Sequence, residues 1–270
     1  MSVKLSPKRG SSILRGVVAA SGDQRVRVQP GPLRRALSLS ICLLIGPAVA
    51  VAASLQVAPV MLEFPPNAKA SQVTLQNLGT TPINAQIRVF RWTQKDGEEQ
   101  LTPSTDVVAS PPAASLAAGQ NYIVRVVRVA TKPVDSEESY RLLVDELPQP
   151  TDDANTKVNF IVRYSIPIFF IQTNSNPQLV WSADLTKDGL RLAVRNDGTR
   201  HIRISALKAE DLSGHSVSYG QGLVGYVLPH STMRWTAPAK DIGAGNALKI
   251  TAQGNNGPLS ATAVPVSAGD

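Results

Sequence analysis

The chain has 270 residues, enough for one or two domains, and with 43% hydrophobic and 17% charged residues it can build a core and does not read as disordered. A net charge of +7 invites a nucleic-acid partner, but its distribution excludes one. Of 27 basic and 20 acidic residues, eight and one lie in residues 1–53, leaving nineteen of each in the rest.

Residues 1–53 read as a leader with a secretion signal. Arg34 and Arg35 precede an apolar run, Ala36 to Ala48, which ends in small residues. Ala48-Val49-Ala50 and Ala50-Val51-Ala52 both satisfy the A-x-A cleavage pattern, so a mature start between Val51 and Ser54 is expected. A transmembrane anchor is the alternative, but the run is short, contains Gly46-Pro47 and ends in cleavable residues. The expectation is therefore an exported protein with no stable membrane anchor after cleavage, located in the periplasm. Cys42, the only cysteine, lies in the leader, so the mature chain has no disulfide and must rest on core packing.

Beyond the leader, short apolar alternations are separated by turn residues, with no helical period. Leu55 opens a strand expected to continue through Phe64 to Pro65-Pro66. Ser71–Gln76, Ala85–Trp92, Val107–Ala109, Tyr122–Val129 and Tyr140–Leu147 follow, bounded by Asn77-Leu78-Gly79, Lys95-Asp96-Gly97, Pro111-Pro112, Ala118-Gly119 and Pro148-Gln149-Pro150. Gln149–Thr156 is polar and acidic and reads as a loop. About seven short strands in about 120 residues is the pattern of an immunoglobulin-like sandwich.

The longest β segment is Lys157–Thr173. Val158, Phe160 and Val162 alternate with Asn159, Ile161 and Arg163, which puts an apolar row on one face. From Ile166 to Ile171 the run is almost continuously apolar, as for a segment buried on both faces. Fully extended, the seventeen residues would span roughly 55 Å, far longer than an ordinary strand. The first half therefore reads as a strand lent to another protein, and the second half as core.

Asn174-Ser175-Asn176-Pro177 marks a boundary. A second, smaller β-sandwich is expected over 174–270, from runs at Leu179–Leu185, Leu190–Val194, His201–Leu207, Val217–Tyr219, Met233–Thr236, Ala247–Ala252 and Leu259–Val266. The domain plan is thus a leader at 1–53, a first domain at 54–173 and a second at 174–270.

Motifs for chemistry are sparse. Gly220-Gln221-Gly222-Leu223-Val224-Gly225 matches a dinucleotide-binding pattern literally, but no helix can start at Tyr226-Val227-Leu228-Pro229. His201, His215 and His230 are scattered and read as surface or turn residues, so no metal site is expected. No nucleophile elbow appears, and neither an enzyme nor a cofactor is expected. Arg88, Arg91, Arg125, Arg128, Arg141 and Arg163 lie on strands of the first domain. Each is either an outward sheet residue or, for one or two, a cleft residue that binds a carboxylate.

Taken together, VAPVMLEFPP, NLGTTP, RVFRW, ASPP, YRLLVDELP, RYSIPIFF and, later, GYVLPHSTMRW resemble the periplasmic pilus chaperones of the chaperone–usher pathway, most closely their archaic branch. The resemblance covers about residues 55–265. It implies an all-β protein of two immunoglobulin-like β-sandwich domains in a boomerang arrangement with a binding cleft between them. It also implies that the chain binds, folds and caps pilus subunits by donor-strand complementation, and delivers them to an outer-membrane usher. Val158, Phe160 and Val162 fall where the family places its donor residues, whose alternate side chains fill pockets in the subunit. Well-studied members anchor the subunit's terminal carboxylate with an Arg on the first strand and a Lys on the donor strand. Met61 and Pro167 stand at those positions here, so Arg163 or Arg141 is the candidate anchor. The competing readings are an immunoglobulin-like pilus subunit or adhesin and an exported carbohydrate-binding module. A full strand set in both domains and the absence of a catalytic constellation weigh against them.

Overall fold

The computed structural model describes residues 55–148 and 161–267. The leader with its cleavage site, Val158 and Phe160 lie outside the described residues. Ten strands make the first sandwich: β1 (Leu55–Ala58), β2 (Leu62–Phe64), β3 (Ala70–Asn77), β4 (Ile83–Lys95), β5 (Glu98–Pro103), β6 (Val107–Ser110), β7 (Ala113–Leu116), β8 (Asn121–Arg128), β9 (Glu138–Leu147) and β10 (Arg163–Phe170). One sheet has the order β1-β3-β8-β6. The other runs β2-β10-β9-β4-β5, with β7 on the first part of β4. Alternation points Val73, Leu75, Val124 and Val126 of the first sheet at Ile87, Leu142, Val144, Ile166 and Ile168 of the second, all at most 2% exposed. Burying each such side chain is worth roughly 1.5–3 kcal/mol.

Several features depart from the sequence expectation. Leu55–Phe64 is not one strand. Pro59 has no N–H for the ladder, and the chain there leaves one sheet for the other: β1 pairs antiparallel with β3, and β2 pairs parallel with β10. The second departure is β5, which the polar stretch Glu98–Pro103 did not announce. It pairs with the far half of β4 across a two-residue turn, with Asp96 at φ +57° and Gly97 at φ +88°. That turn geometry needs positive φ at both positions, which glycine supplies without strain.

The second sandwich holds β11 (Leu179–Thr186), β12 (Gly189–Asn196), β13 (Ile202–Asp211), β14 (Ser216–Ser218), β15 (Leu223–Val227), β16 (Ser231–Ala237), β17 (Leu248–Gly254), β18 (Gly257–Ala263) and β19 (Pro265–Ser267). Its sheets run β16-β12-β11-β19 and β14-β13-β17-β18, with β15 on β13. The glycine-rich Gly220–Gly225 stretch leads into β15, and no helix occurs among the described residues.

The same device closes a turn in each sandwich. Asn77, fully buried, donates to the carbonyls of Thr81, Leu116 and Ala117 and accepts from the Gly79 N–H. Asn196, also fully buried, donates to the carbonyls of Arg200 and Val227 and accepts from the Gln178 and Gly198 N–H groups. Each carboxamide satisfies several loop groups that burial would otherwise orphan.

A small third cluster joins the sandwiches: Trp92 and Phe169 from the first, Tyr226 and Leu228 from the second. Trp92 meets Tyr226 edge-on at 5.5 Å between centroids. Gln94 reads the second sandwich with both ends of its carboxamide, donating to the Tyr226 carbonyl and accepting from the Leu228 N–H, each at 2.8 Å. His201 was expected at the surface. It is instead 1% exposed, stacked on Phe169, with Nδ1 2.7 Å from a Glu137 carboxylate oxygen that also accepts the His201 N–H. The immediate reason is packing: an imidazole whose polar atoms meet Glu137 loses little by burial and fills the gap beside Phe169.

Candidate functional site

The site is built on the outer face of the six-stranded sheet. On β9, Tyr140, Leu142 and Val144 point into the sandwich, so Ser139, Arg141, Leu143 and Asp145 point out. On β10, Ile166, Ile168 and Phe170 point in, leaving Arg163, Ser165, Pro167 and Phe169 on the outer face. The pairing register aligns these residues in rows. Pro167, Arg141, Phe90 and Pro103 form one row across four strands. Met61 lies one residue before the Leu62–Ile168 pair, beside the end of that row. Ser165, Leu143 and Arg88 form the next, and Arg163, Asp145 and Gln86 the one after.

Two cationic positions occupy this face. Arg141 is 9% exposed, with its guanidinium carbon 3.6 Å from the Trp92 ring centroid and 5.5 Å from that of Tyr226. Among the described residues its one anionic contact is long, Nη2 to the Glu99 carboxylate at 3.3 and 3.4 Å, and its buried Nε has no partner. Trp92 Nε1 is a second buried donor with no partner among the described residues. Burial pulls the Arg141 pKa below the ordinary guanidinium range, against the opposing pull of Glu99 and Tyr226. Arg141 is therefore a desolvated cation with weak compensation, a costly arrangement that an incoming anion relieves.

The second position is a trio. Asp145, with a side chain 10% exposed, accepts from Arg88 Nη2 at 2.6 Å and from Arg163 Nε. Arg88 and Arg163 remain 42% and 63% exposed. Burial pushes the Asp145 carboxyl up, but the hydrogen bonds from Arg163 and Arg88 outweigh it and hold the group below the usual carboxylate range.

The other strand arginines divide. Arg125 is exposed on the opposite sheet. Arg91 donates to the Tyr140 hydroxyl at 2.7 Å. Arg128 is buried in a bidentate pair with Glu138, both contacts 2.9 Å, and donates to the carbonyls of Ala130 and Lys132, so it is a structural clamp. Val162, the described member of the apolar row, is half-buried just before β10.

The edge of β10 completes the geometry. On one side β9 pairs along its whole length, Arg163 to Phe170. On the other, β2 pairs only with Ile168–Phe170. Residues Arg163–Pro167 therefore present an edge with no strand partner among the described residues, continuous with the segment that carries Val158, Phe160 and Val162. An open edge with apolar alternation beside it is a template for an added strand.

Residues 54–173 match the model of the pili and flagellar-assembly chaperones, PapD N-terminal domain. Over these residues the chain is similar to the N-terminal domain of the pilus assembly chaperones. Among solved structures, the chain is similar to one in the CsuC–CsuE chaperone–tip adhesion subunit pre-assembly complex from archaic chaperone–usher Csu pili of Acinetobacter baumannii. Identity is 29% over 80% of this chain and 100% of that one, with a TM-score of 0.61. The YadV chaperone shares the fold at 16% identity, covering 78% of this chain and 100% of its own, with a TM-score of 0.56. A chain of the Salmonella enterica SafA pilin–SafB chaperone complex does so at 16% identity, with coverage of 78% and 96% and a TM-score of 0.55. No curated protein matches the chain by sequence.

The sequence pointed at Arg141 and Arg163 but missed three residues that define their surroundings. Asp145 was read only as part of a strand, although a carboxylate between apolar positions facing two arginines is a visible signal. Glu99 sits on the unread strand β5. Trp92 was legible by its alternation with Phe90 and Arg88, yet nothing local shows that it lies under Arg141.

Proposed function

We propose that the chain is a periplasmic chaperone that binds, folds and caps pilus subunits by lending them the strand that runs into β10, then delivers them to an outer-membrane usher. The observation that carries this reading is the unpaired Arg163–Pro167 edge, set beside a sheet face that holds an under-compensated arginine. Main-chain hydrogen bonds along the edge give affinity, and Val158, Phe160 and Val162 supply side chains for the subunit's pockets. Residues 54–173 act as the subunit-binding domain and 174–270 as its partner domain. Residues 1–53 are the leader removed on export, since chaperones of this pathway are periplasmic. The subunit, adhesin and carbohydrate-module alternatives are not favoured, because the matching family is one of chaperones.

Arg141 is the preferred carboxylate anchor and Arg163 the second candidate. Asp145 already compensates Arg163, whereas Arg141 has only its long contact to Glu99. Titration with strand peptides ending in a free or an amidated carboxyl tests this. Wild type prefers the free form, and Arg141→Ala loses that preference together with about 2–5 kcal/mol of binding, the range for breaking a buried charge pair. Retained preference in both Arg141→Ala and Arg163→Ala would overturn the anchor assignment.

A further inference from the structure

We propose that the Arg88–Asp145–Arg163 trio is a second anion seat, which selects subunits carrying an acidic side chain four residues before their C-terminus. The proposal rests on the edge-binding reading above and specifies which strands that edge prefers.

The trio holds two cations and one anion, so it keeps a net charge of +1 after its internal pairing. Arg163 gives Nε to Asp145, leaving both Nη groups without a partner among the described residues on a side chain 63% exposed. Two parallel Nη donors are the fork that grips a carboxylate. Asp145 is thus a positioning residue. It fixes the Arg163 guanidinium from below, while Arg88 offsets the negative charge that would otherwise cancel it. Arg88 stands two strands from β10 and reaches Asp145 but not an added strand, which leaves Arg163 as the reading residue.

Spacing sets the position that is read. Arg163 lies four residues from Pro167, and Pro167 pairs with Arg141 across the sheet. At about 3.4 Å per residue the two cationic rows are roughly 14 Å apart along the strands. A strand added at the open edge has side chains on this face at every second residue, so positions four apart face both rows. If the terminal carboxylate meets Arg141, only residues before it remain to run along the edge. The residue four before the end then faces Arg163.

The test uses designed decapeptides of alternating Val and Thr with a free C-terminus, in which one Glu or one Gln is moved through each position. Wild-type protein is expected to bind Glu over Gln by about two- to fivefold at the fourth residue before the end, the range of an exposed ion pair, and by less elsewhere. Arg163→Gln and Arg88→Gln should both abolish that preference, and Arg88→Gln should leave the preference for a free over an amidated terminus. A flat Glu scan with the amidation effect intact would overturn the second seat alone. Binding that ignores both the Glu position and amidation, or no binding at all, would overturn the edge-binding reading and this proposal with it.

Discussion

The imidazole of His201 lies flat on the ring of Phe169, with centroids 3.5 Å apart and planes 8° apart. Phe169 belongs to β10, the strand that carries the binding edge, and His201 precedes β13 of the second sandwich. The strand with the open edge is thereby pinned at its far end by the neighbouring domain. Phe169→Ala should cost about 3–5 kcal/mol, as for other buried aromatic truncations. It should also separate the unfolding of the two sandwiches in a urea titration followed by two probes. A loss below about 1 kcal/mol with coincident transitions would refute the pinning.

Gln94→Ala tests the other contact across the junction. The substitution orphans the Tyr226 carbonyl and the Leu228 N–H, both part-buried, and should lower stability by about 1–3 kcal/mol. Gln94→Glu keeps an acceptor for Leu228 but sets a part-buried carboxylate oxygen against the Tyr226 carbonyl, so it should be at least as destabilising as Gln94→Ala. Equal stability of all three proteins would show that the contact contributes nothing.

Acid sensitivity should trace to the outer face. Asp145 is held below its ordinary range by Arg163 and Arg88 despite burial, and its unfolded carboxyl titrates near 3.9. The unfolded chain therefore takes up a proton before the folded one as pH falls. The stabilisation is present above about pH 4 and is lost as pH drops toward the depressed folded value. Asp145→Asn should give a shallower loss of stability between neutral pH and acid than wild type. Parallel pH curves would contradict the pairing.

The tyrosines give an alkaline counterpart. Burial pushes the Tyr140 phenol up to about 12, against the pull of Arg91, and raises those of Tyr219 and Tyr226 as well. Phenolate absorbance should therefore reach at most two of the five tyrosine equivalents before alkaline unfolding. All five ionising together below that step would contradict the packing at Tyr140.

Phe160→Asp probes the donor row. A charge entering an apolar pocket in the subunit would go unpaired, at a cost of several kcal/mol. Co-purification with a subunit should be lost while the circular dichroism of the chaperone alone is unchanged. Normal capture, or an unfolded variant, would sink the assignment of that face.

The two-sandwich architecture was legible because alternation and turn residues are local signals. Sheet faces follow from period two, and of the near-continuous run Ile166–Ile171, Ile166 to Phe170 are buried on both sides of β10, while Ile171 lies half-buried beyond its end. Turn chemistry identified Asp96-Gly97, but not that β5 follows, since Glu98–Pro103 is polar and exposed throughout and gives no apolar period. The matching Asn-x-Gly-Thr stretches at Asn77 and Asn196 were readable as turns. Their shared role as buried clamps was not, because it depends on carbonyls up to 40 residues away. The site was half legible. Arg141 and Arg163 stood out as strand arginines, but whether each was compensated depended on cross-strand neighbours in Asp145 and Glu99. His201 was misread for the same reason: its partner Glu137 is 64 residues away.

β4 spans thirteen residues, from Ile83 to Lys95, and serves two masters. Its first half closes the first sandwich, while Trp92 and Gln94 near its end hold the second. A chimaera joined at residue 174 with the second domain of another chaperone would inherit Trp92 and Gln94 without Tyr226 and Leu228 to receive them. An isolated first domain would present Trp92 and Phe169 to solvent as an adhesive surface. Cutting the gene between the sandwiches thus divides a single mechanical unit, and the two halves must be inherited together for Trp92 and Gln94 to keep their partners.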